Sequence, residues 1–194
     1  MILENLKNKQ IILASKSPRR QELMHGIGLN FTVHVKEDID EDFDLKMPSA
    51  QVATFLALKK ANSYLNEIKE NVILITADTI VCTEDEILNK PSDRQDAIRM
   101  LQHLSGKQHK VITGVCIKST DREITFSSES IVYFKVLELP EIEYYVDQYN
   151  PYDKAGAYGI QEWIGYIGIT RIEGSYFNVM GFPIQRVFEE LKKF

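Results

Sequence analysis

The sequence predicts an α/β fold whose sheet mixes parallel and antiparallel strands. Strand-like and helix-like patterns alternate along the 194 residues, as they do when helices pack on a sheet. One strand, Val72-Ile73-Leu74-Ile75-Thr76-Ala77, is a nearly uniform run rich in β-branched residues, the signature of burial on both faces. Two later strand patterns, Lys110–Lys118 and Arg122–Leu137, flank a short polar turn and add a paired element.

Each element follows from its local pattern. Lys9–Ala14 reads as the first strand, and Ser15-Lys16-Ser17 breaks it. Pro18 suits the first helical position, where its missing N–H costs nothing. Ser17 then falls at the N-cap, and Arg19–Gly26 is helical, closed by Gly26 and Gly28. Phe31–Val35 alternates in the strand manner. Glu37–Lys46 is an acidic loop. Ser49–Glu70 reads as one long helix, with Ser49 as cap and Val52, Phe55, Leu56 and Leu65 at helical spacing. The run from Val72 ends in Asp78-Thr79, and Ile80-Val81-Cys82 continues it. Ser92–Leu104 is a helix capped by Ser92 and stopped by Gly106. Beyond the paired strands come a short helix Glu141–Tyr149, a glycine-bearing loop Asp153–Gln161, a strand Trp163–Ile172 and a terminal helix Pro183–Phe194. No internal repeat or low-complexity linker divides the chain, so residues 1–194 read as a single domain, long enough for one sizeable core or two small lobes.

Composition narrows the function classes. Hydrophobic content of 44% and charged content of 26% describe an ordinary globular protein. A net charge of −5 argues against a general nucleic-acid binder, which needs a broad basic surface. A local basic pocket in an acidic chain suits a small anionic ligand instead. Met1–Gln10 has no apolar core of signal-peptide length, and no window approaches a membrane span; a cytoplasmic protein without membrane or nucleic-acid partners is expected. Cys82 and Cys116 are too few for a disulfide framework. His25, His34, His103 and His109 show no metal-ligand spacing and read as surface or structural residues.

Several polar residues are placed for chemistry. Ser15, Ser17, Arg19 and Arg20 crowd a strand-to-helix turn. A helix N-terminus attracts anions through its unpaired N–H groups and macrodipole, and arginine forks recognise phosphate. The segment reads equally as an ordinary capped helix with solvated arginines. Asp78, at the end of the most buried-looking strand, lies where α/β sheets gather ligands; there it can hold a divalent metal or take a proton from water. Glu41, in the acidic loop, could share that metal, although such charge runs are commonly just solvated. Of Lys59 and Lys60, about 100° apart on a helix, one turns toward the sheet edge. Lys90 is held extended by Pro91, though a lone lysine is more often a surface residue. Gln161 carries both a donor and an acceptor and can read a base edge, a signal of low specificity alone. Gly174-Ser175-Tyr176 reads as a tight turn.

Taken together and in order, these segments resemble the Maf family of nucleotide pyrophosphatases. The matching pieces are Ser15-Lys16-Ser17-Pro18-Arg19-Arg20, Asp38-Ile39-Asp40-Glu41, Lys60-Ala61, Ala77-Asp78-Thr79-Ile80-Val81, Lys90-Pro91, Leu104-Ser105-Gly106 with His109, Thr113-Gly114, Asp153–Gln161, and Gly174-Ser175-Tyr176 with Gly181-Phe182-Pro183. The Gln161 run is similar to the branch acting on dTTP and UTP. Lys16 and Asn89 depart from the usual pattern, and within the acidic loop Glu41 is chosen over Asp40 or Glu37.

The resemblance implies a two-lobed fold of the Maf and ITPase-like kind, with a mixed central sheet and an active-site cleft between lobes. It implies hydrolysis of a nucleoside triphosphate between its α and β phosphates. Asp78 matches the catalytic base. Ser15, Arg20, Glu41, Lys60 and Lys90 match the polar lining, and Arg19, Thr79 and Gln161 the positions that choose the base. Mg²⁺ or Mn²⁺ is the implied cofactor, on Glu41 and Asp78. The partner is a small-molecule nucleotide; a homodimer is admitted but nothing in the sequence requires it. Two alternatives remain at this point: a 7-methyl-GTP pyrophosphatase, and a non-catalytic nucleotide-binding regulator of septum formation.

Overall fold

The computed structural model describes residues 3–37, 39–44, 46–84 and 86–194. Its regular elements run in the order β1 (Gln10–Leu13), α1 (Pro18–Gly26), β2 (Thr32–Val33), α2 (Ser49–Asn62), β3 (Val72–Cys82), β4 (Ile87–Leu88), α3 (Arg94–Leu104), β5 (Gln108–Lys118), β6 (Glu123–Phe134), α4 (Leu139–Tyr149), α5 (Trp163–Gly168), β7 (Ile169–Glu173), α6 (Tyr176–Val179) and α7 (Ile184–Leu191). The strands form a seven-stranded sheet in the order β2-β1-β3-β5-β6-β7, with β4 paired to β3 off that path. β1 lies parallel to β2 and β3, whereas the β3–β4 and β6–β7 pairs are antiparallel. The sheet is mixed, as the sequence predicts.

The chain packs as two compact units. The first comprises Met1–Asp78, Thr113–Ser128 and Gly181–Phe194; the second comprises Thr79–Ile112 and Glu129–Met180. In the first unit the uniform run of β3 is buried on both faces. Ile73, Ile75 and Ala77 join Ile11, Leu13, Met24, Phe182 and the α7 residues Val187 and Leu191 in one cluster. Leu74 turns the other way and packs with Ala57, Ala61, Tyr64 and Cys116. Alternation along a strand makes this split inevitable. Thr76, the polar residue in the run, is fully buried and donates to Ala57 O of α2 at 2.6 Å, so its hydroxyl is satisfied. In the second unit, α3 buries Ala97, Ile98, Met100, Leu101 and Leu104, and α4 buries Ile142, Tyr145 and Val146.

Gly114 of β5 explains how α2 sits so close to the sheet. A Cβ there would lie 2.2 Å from the backbone carbon and oxygen of Ala53. Backbone cannot yield as a side chain can, so Gly114→Ala should destabilise the protein by about 3 kcal/mol, the upper end of ordinary overpacking. A urea midpoint equal to that of the parent chain would contradict this packing.

Several sequence expectations are corrected. The helix from Ser49 stops at Asn62 rather than Glu70, followed by a 3-10 turn at Leu65–Glu67. Ser63 donates its hydroxyl to Lys60 O at 2.7 Å, a local bond that competes with helix continuation. Pro48, not Ser49, holds the N-cap of α2. Asp93, not Ser92, caps α3, its carboxylate accepting from Asp96 N at 2.9 Å. Ser17 does stand at the α1 N-cap, but its side chain makes no capping bond. Phe31–Val35 shortens to the two residues of β2. Trp163–Ile172 is not one strand: Trp163–Gly168 is helical and only Ile169–Glu173 is extended. The β-branched and aromatic residues there favour a strand, but Gly165 lets the helix approach the preceding chain, since a Cβ on it would lie 1.9 Å from Ile160 O. Asp78 lies within β3, which runs on to Cys82, rather than at its end. Asp38 and Leu45, in the segment read as an acidic loop, lie outside the described residues.

Candidate active site

In the first unit the strand-to-helix turn is built around Arg20. Its Nε donates to Gly181 O at 2.8 Å, and its Nη1 donates to Ala77 O at 2.9 Å and to Ser15 Oγ at 3.2 Å. Ser15 is buried, and its hydroxyl also accepts from Ser17 N at 3.3 Å. Gln21 Nε2 donates to Ser15 O at 3.2 Å. The guanidinium therefore joins the start of α1 to β3 and to the turn before α7. Burial pushes Arg20 down to about 10, against the opposing pull of Asp78, so it stays charged at neutral pH. Phosphate binding is what the sequence leads one to expect of Arg20; its scaffold bonds to Ala77 and Gly181 are not legible there, because both acceptors are backbone groups far away in the chain.

Two carboxylates of this unit converge on Lys60. Its ammonium pairs with Asp78 Oδ1 and with Glu41 Oε1, the latter at 2.9 Å. Lys60 and Asp78 are 15% and 14% exposed, against 51% for Glu41, so the pair is screened from water much more than a surface ion pair. The adjacent Lys59 turns away, to Asp40 Oδ2 at 2.6 Å and Asp42 O at 2.9 Å, and its hydrogen bond holds the Asp40 carboxyl below its ordinary range. Glu37 pairs with Lys16 at 3.2 Å on the surface. Among the described acids of the loop, Glu41 is thus the one that shares a cation with Asp78. Arg19 is half-buried on the first turn of α1.

The second unit carries Thr79, Lys90 and Gln161. Thr79 is half-buried on β3, and Lys90 is exposed between β4 and α3. The residue before it, Asn89, accepts at its carbonyl from Gly156 N at 3.2 Å. Gly156 has φ +68, and a Cβ on it would meet Val81 Cγ1 at 2.9 Å. The glycine thus lets the 155–157 turn rest on β3 while binding the backbone beside Lys90. Gln161 O accepts from Tyr166 Oη at 2.7 Å, and the buried Gln161 Oε1 has no hydrogen-bond partner among the described residues. His109 is buried, with Nε2 2.7 Å from Tyr158 Oη. Burial pushes it down to about 3, so it is a neutral packing residue, as the absence of a ligand pattern suggests.

Among the described residues, no group of three or more His, Cys, Asp or Glu side chains is arranged to hold a metal ion. The fit of a divalent ion rests instead on Glu41 and Asp78. They already meet around one positive charge, and hard oxygen donors suit Mg²⁺ or Mn²⁺, which commonly use one or two protein carboxylates and leave other positions to phosphate and water.

The chain belongs to the Maf family: the model of the family described as Maf-like protein matches residues 10–194. A protein of Parabacteroides distasonis named dTTP/UTP pyrophosphatase is 50% identical over 193 residues, covering 100% of both chains. One of the same name from Porphyromonas gingivalis is 48% identical over 195 residues, covering 100% of this chain and 98% of its own. Among solved structures, the Ham1 protein of Staphylococcus aureus covers 94% of this chain and 100% of its own at 14% identity, with a TM-score of 0.48.

Proposed function

We propose that the chain is a nucleoside triphosphate pyrophosphatase that acts on dTTP and UTP, releasing the monophosphate and pyrophosphate. The observation that carries it is the full-length similarity to relatives of that name. Their names favour the pyrimidine branch over 7-methyl-GTP. The side chains described above supply a chemical rationale. Ser15, the α1 N-terminus, Arg19 and Arg20 offer hydrogen bonds and positive charge to phosphate oxygens. Lys60 and Lys90 add cationic charge that offsets the negative charge developing on the leaving pyrophosphate. Asp78 orients the attacking water and accepts its proton. Glu41 and Asp78 would hold Mg²⁺ or Mn²⁺, which when bound neutralises phosphate charge and polarises the phosphorus. Thr79 and Gln161, with Arg19, select the base. A cytoplasmic setting is supported by Cys82 and Cys116, both buried and outside any disulfide, and no helix of the described residues is long and apolar enough to cross a membrane.

Two assays test this reading. Pyrophosphate release should vanish in excess EDTA and return with Mg²⁺ or Mn²⁺; full activity of purified protein in the chelator would remove the metal from the scheme. In competition, the parent chain should prefer dTTP and UTP over ATP, GTP and 7-methyl-GTP. Gln161→Leu should narrow that preference, mainly by lowering kcat/KM for the pyrimidines, because a carboxamide that pairs with the base edge rejects bases that leave it unpaired. An unchanged order and ratio would end the base-reading role of Gln161.

A further inference from the structure

The run that carries Gln161 has little regular structure to hold its shape. Gly156 and Ala157 follow each other at positive φ, +68° and +58°. Such a conformation costs an alanine energy and persists where the surroundings over-determine it. The surroundings here are polar and withdrawn from water. Lys154 is a lysine only 7% exposed, and its ammonium pairs with Glu162 Oε1 at 3.1 Å and with Asp153 Oδ1 at 2.7 Å. The other oxygen of Glu162 accepts a hydrogen bond from the Tyr145 hydroxyl of α4. That same hydroxyl accepts from Gly159 N at 3.0 Å. Burial, and then the Glu162 carboxylate, push the Tyr145 phenol up, so it remains a donor at any working pH.

These bonds close the run upon itself. The Lys154–Glu162 pair joins its two ends, and Tyr145 fixes its middle to α4. Gly159 is required by the same arrangement, since a Cβ on it would lie 2.7 Å from Glu162 Cδ. Glu162 N in turn donates to Gly159 O at 3.0 Å. Gln161 therefore sits next to the residue on which the whole closure converges. Removing Glu162 leaves the buried Lys154 ammonium with the exposed Asp153 as its remaining ion-pair partner and takes the carboxylate acceptor from the Tyr145 hydroxyl, so the closure would loosen there first.

We propose that Glu162, held between the Lys154 ammonium and the Tyr145 hydroxyl, is a positioning residue that sets the Gln161 carboxamide for base selection. This rests on the assignment of Gln161 as the base reader. Glu162 touches no reacting atom in this scheme. Its effect is on the discrimination between bases, which depends on placing a hydrogen-bonding group to within a fraction of an ångström.

The test measures kcat and KM for UTP, dTTP and GTP with the parent chain, Glu162→Ala, Glu162→Gln, Tyr145→Phe and Gln161→Leu. Glu162→Ala should lower the UTP-to-GTP ratio of kcat/KM by about ten-fold, within the range a small misplacement can cost. KM for the pyrimidines should rise more than kcat falls. Glu162→Gln keeps an acceptor for Tyr145 but not the ion pair, and should fall between parent and alanine, as should Tyr145→Phe. If Glu162→Ala does not fold, the glutamine and phenylalanine variants carry the test by the same ratio. A loss equal for all three nucleotides, or a ratio unchanged within two-fold, would reduce Glu162 to a structural residue and overturn the proposal. If Gln161→Leu leaves the ratio unchanged, the base-reading assignment fails, and this proposal with it. If Gln161→Leu shifts the ratio and the Glu162 variants do not, only the positioning role fails.

Discussion

Asp78→Asn should lower pyrophosphate release from dTTP by about 10²–10⁴-fold, the usual cost of losing a general base, while the protein stays folded. The substitution is nearly isosteric and keeps an oxygen that accepts from Lys60. It removes the charge. Asp78 is only 14% exposed and shares the Lys60 ammonium with Glu41. After the change Glu41 is the carboxylate left to Lys60, and in the proposed scheme water loses its proton acceptor and the metal a ligand. Continuous pyrophosphate release and circular dichroism, run together, check the prediction. A folded variant with activity near that of the parent chain would show that Asp78 is not the base.

Arg20→Ala should lower kcat/KM for UTP by about ten-fold or more and, unlike Asp78→Asn, should also lower stability by about 1.5–3 kcal/mol, the range of hydrogen bonds to charged groups. The double effect follows from geometry. The guanidinium bonds Gly181 O, Ala77 O and Ser15 Oγ, and alanine deprives all three acceptors of a donor. Lysine in its place keeps the charge without the planar fork, so Arg20→Lys should recover little stability. Lys90→Ala makes the contrast. Lys90 is exposed, so its loss should reduce kcat/KM with the urea midpoint unmoved. Normal hydrolysis of UTP by both alanine variants would place phosphate binding elsewhere.

The parts of this fold that sequence reveals are those governed by neighbours in the chain. β3 announces itself because residues 72–77 are apolar but for Thr76, and α3 and α7 because their apolar residues recur at helical spacing. Lys59 and Lys60 show why the candidate site is only half legible. Helical geometry says that the two diverge; which carboxylate each meets depends on where the acidic loop runs. Glu41 could be preferred to Asp40 only by resemblance, and the structure adds that Asp40 pairs with Lys59. The α5 segment misleads because Trp-Ile-Gly-Tyr-Ile-Gly has strand-like composition, while the close approach of Gly165 to Ile160 O, five residues earlier, depends on a chain path that composition does not show. The closure made by Lys154, Glu162 and Tyr145 was missed for a similar reason. Nothing in the spacing of Tyr145 and Glu162 shows that a helix and a loop face one another, and only a charged pair bracketing a glycine-bearing run could have hinted at it.

The first unit is assembled from both ends of the chain and a piece of its middle, and that ordering governs how the protein can be made. A ribosome releases β1, α1, α2 and most of β3 early, yet Leu13, Ile73 and Ile75 share their cluster with Val187 and Leu191 of α7, and Asn5 Nδ2 bonds Leu191 O at 2.9 Å. The nascent N-terminal segment must therefore carry an unsealed apolar face while more than half of the chain is still being synthesised. Contacts so distant in sequence form slowly, and unsealed apolar surface is what drives aggregation. The last helix acts as the closing piece of the first-made unit, so chains that stop before Gly181 should be held by chaperones or lost to proteolysis instead of accumulating as partly active protein.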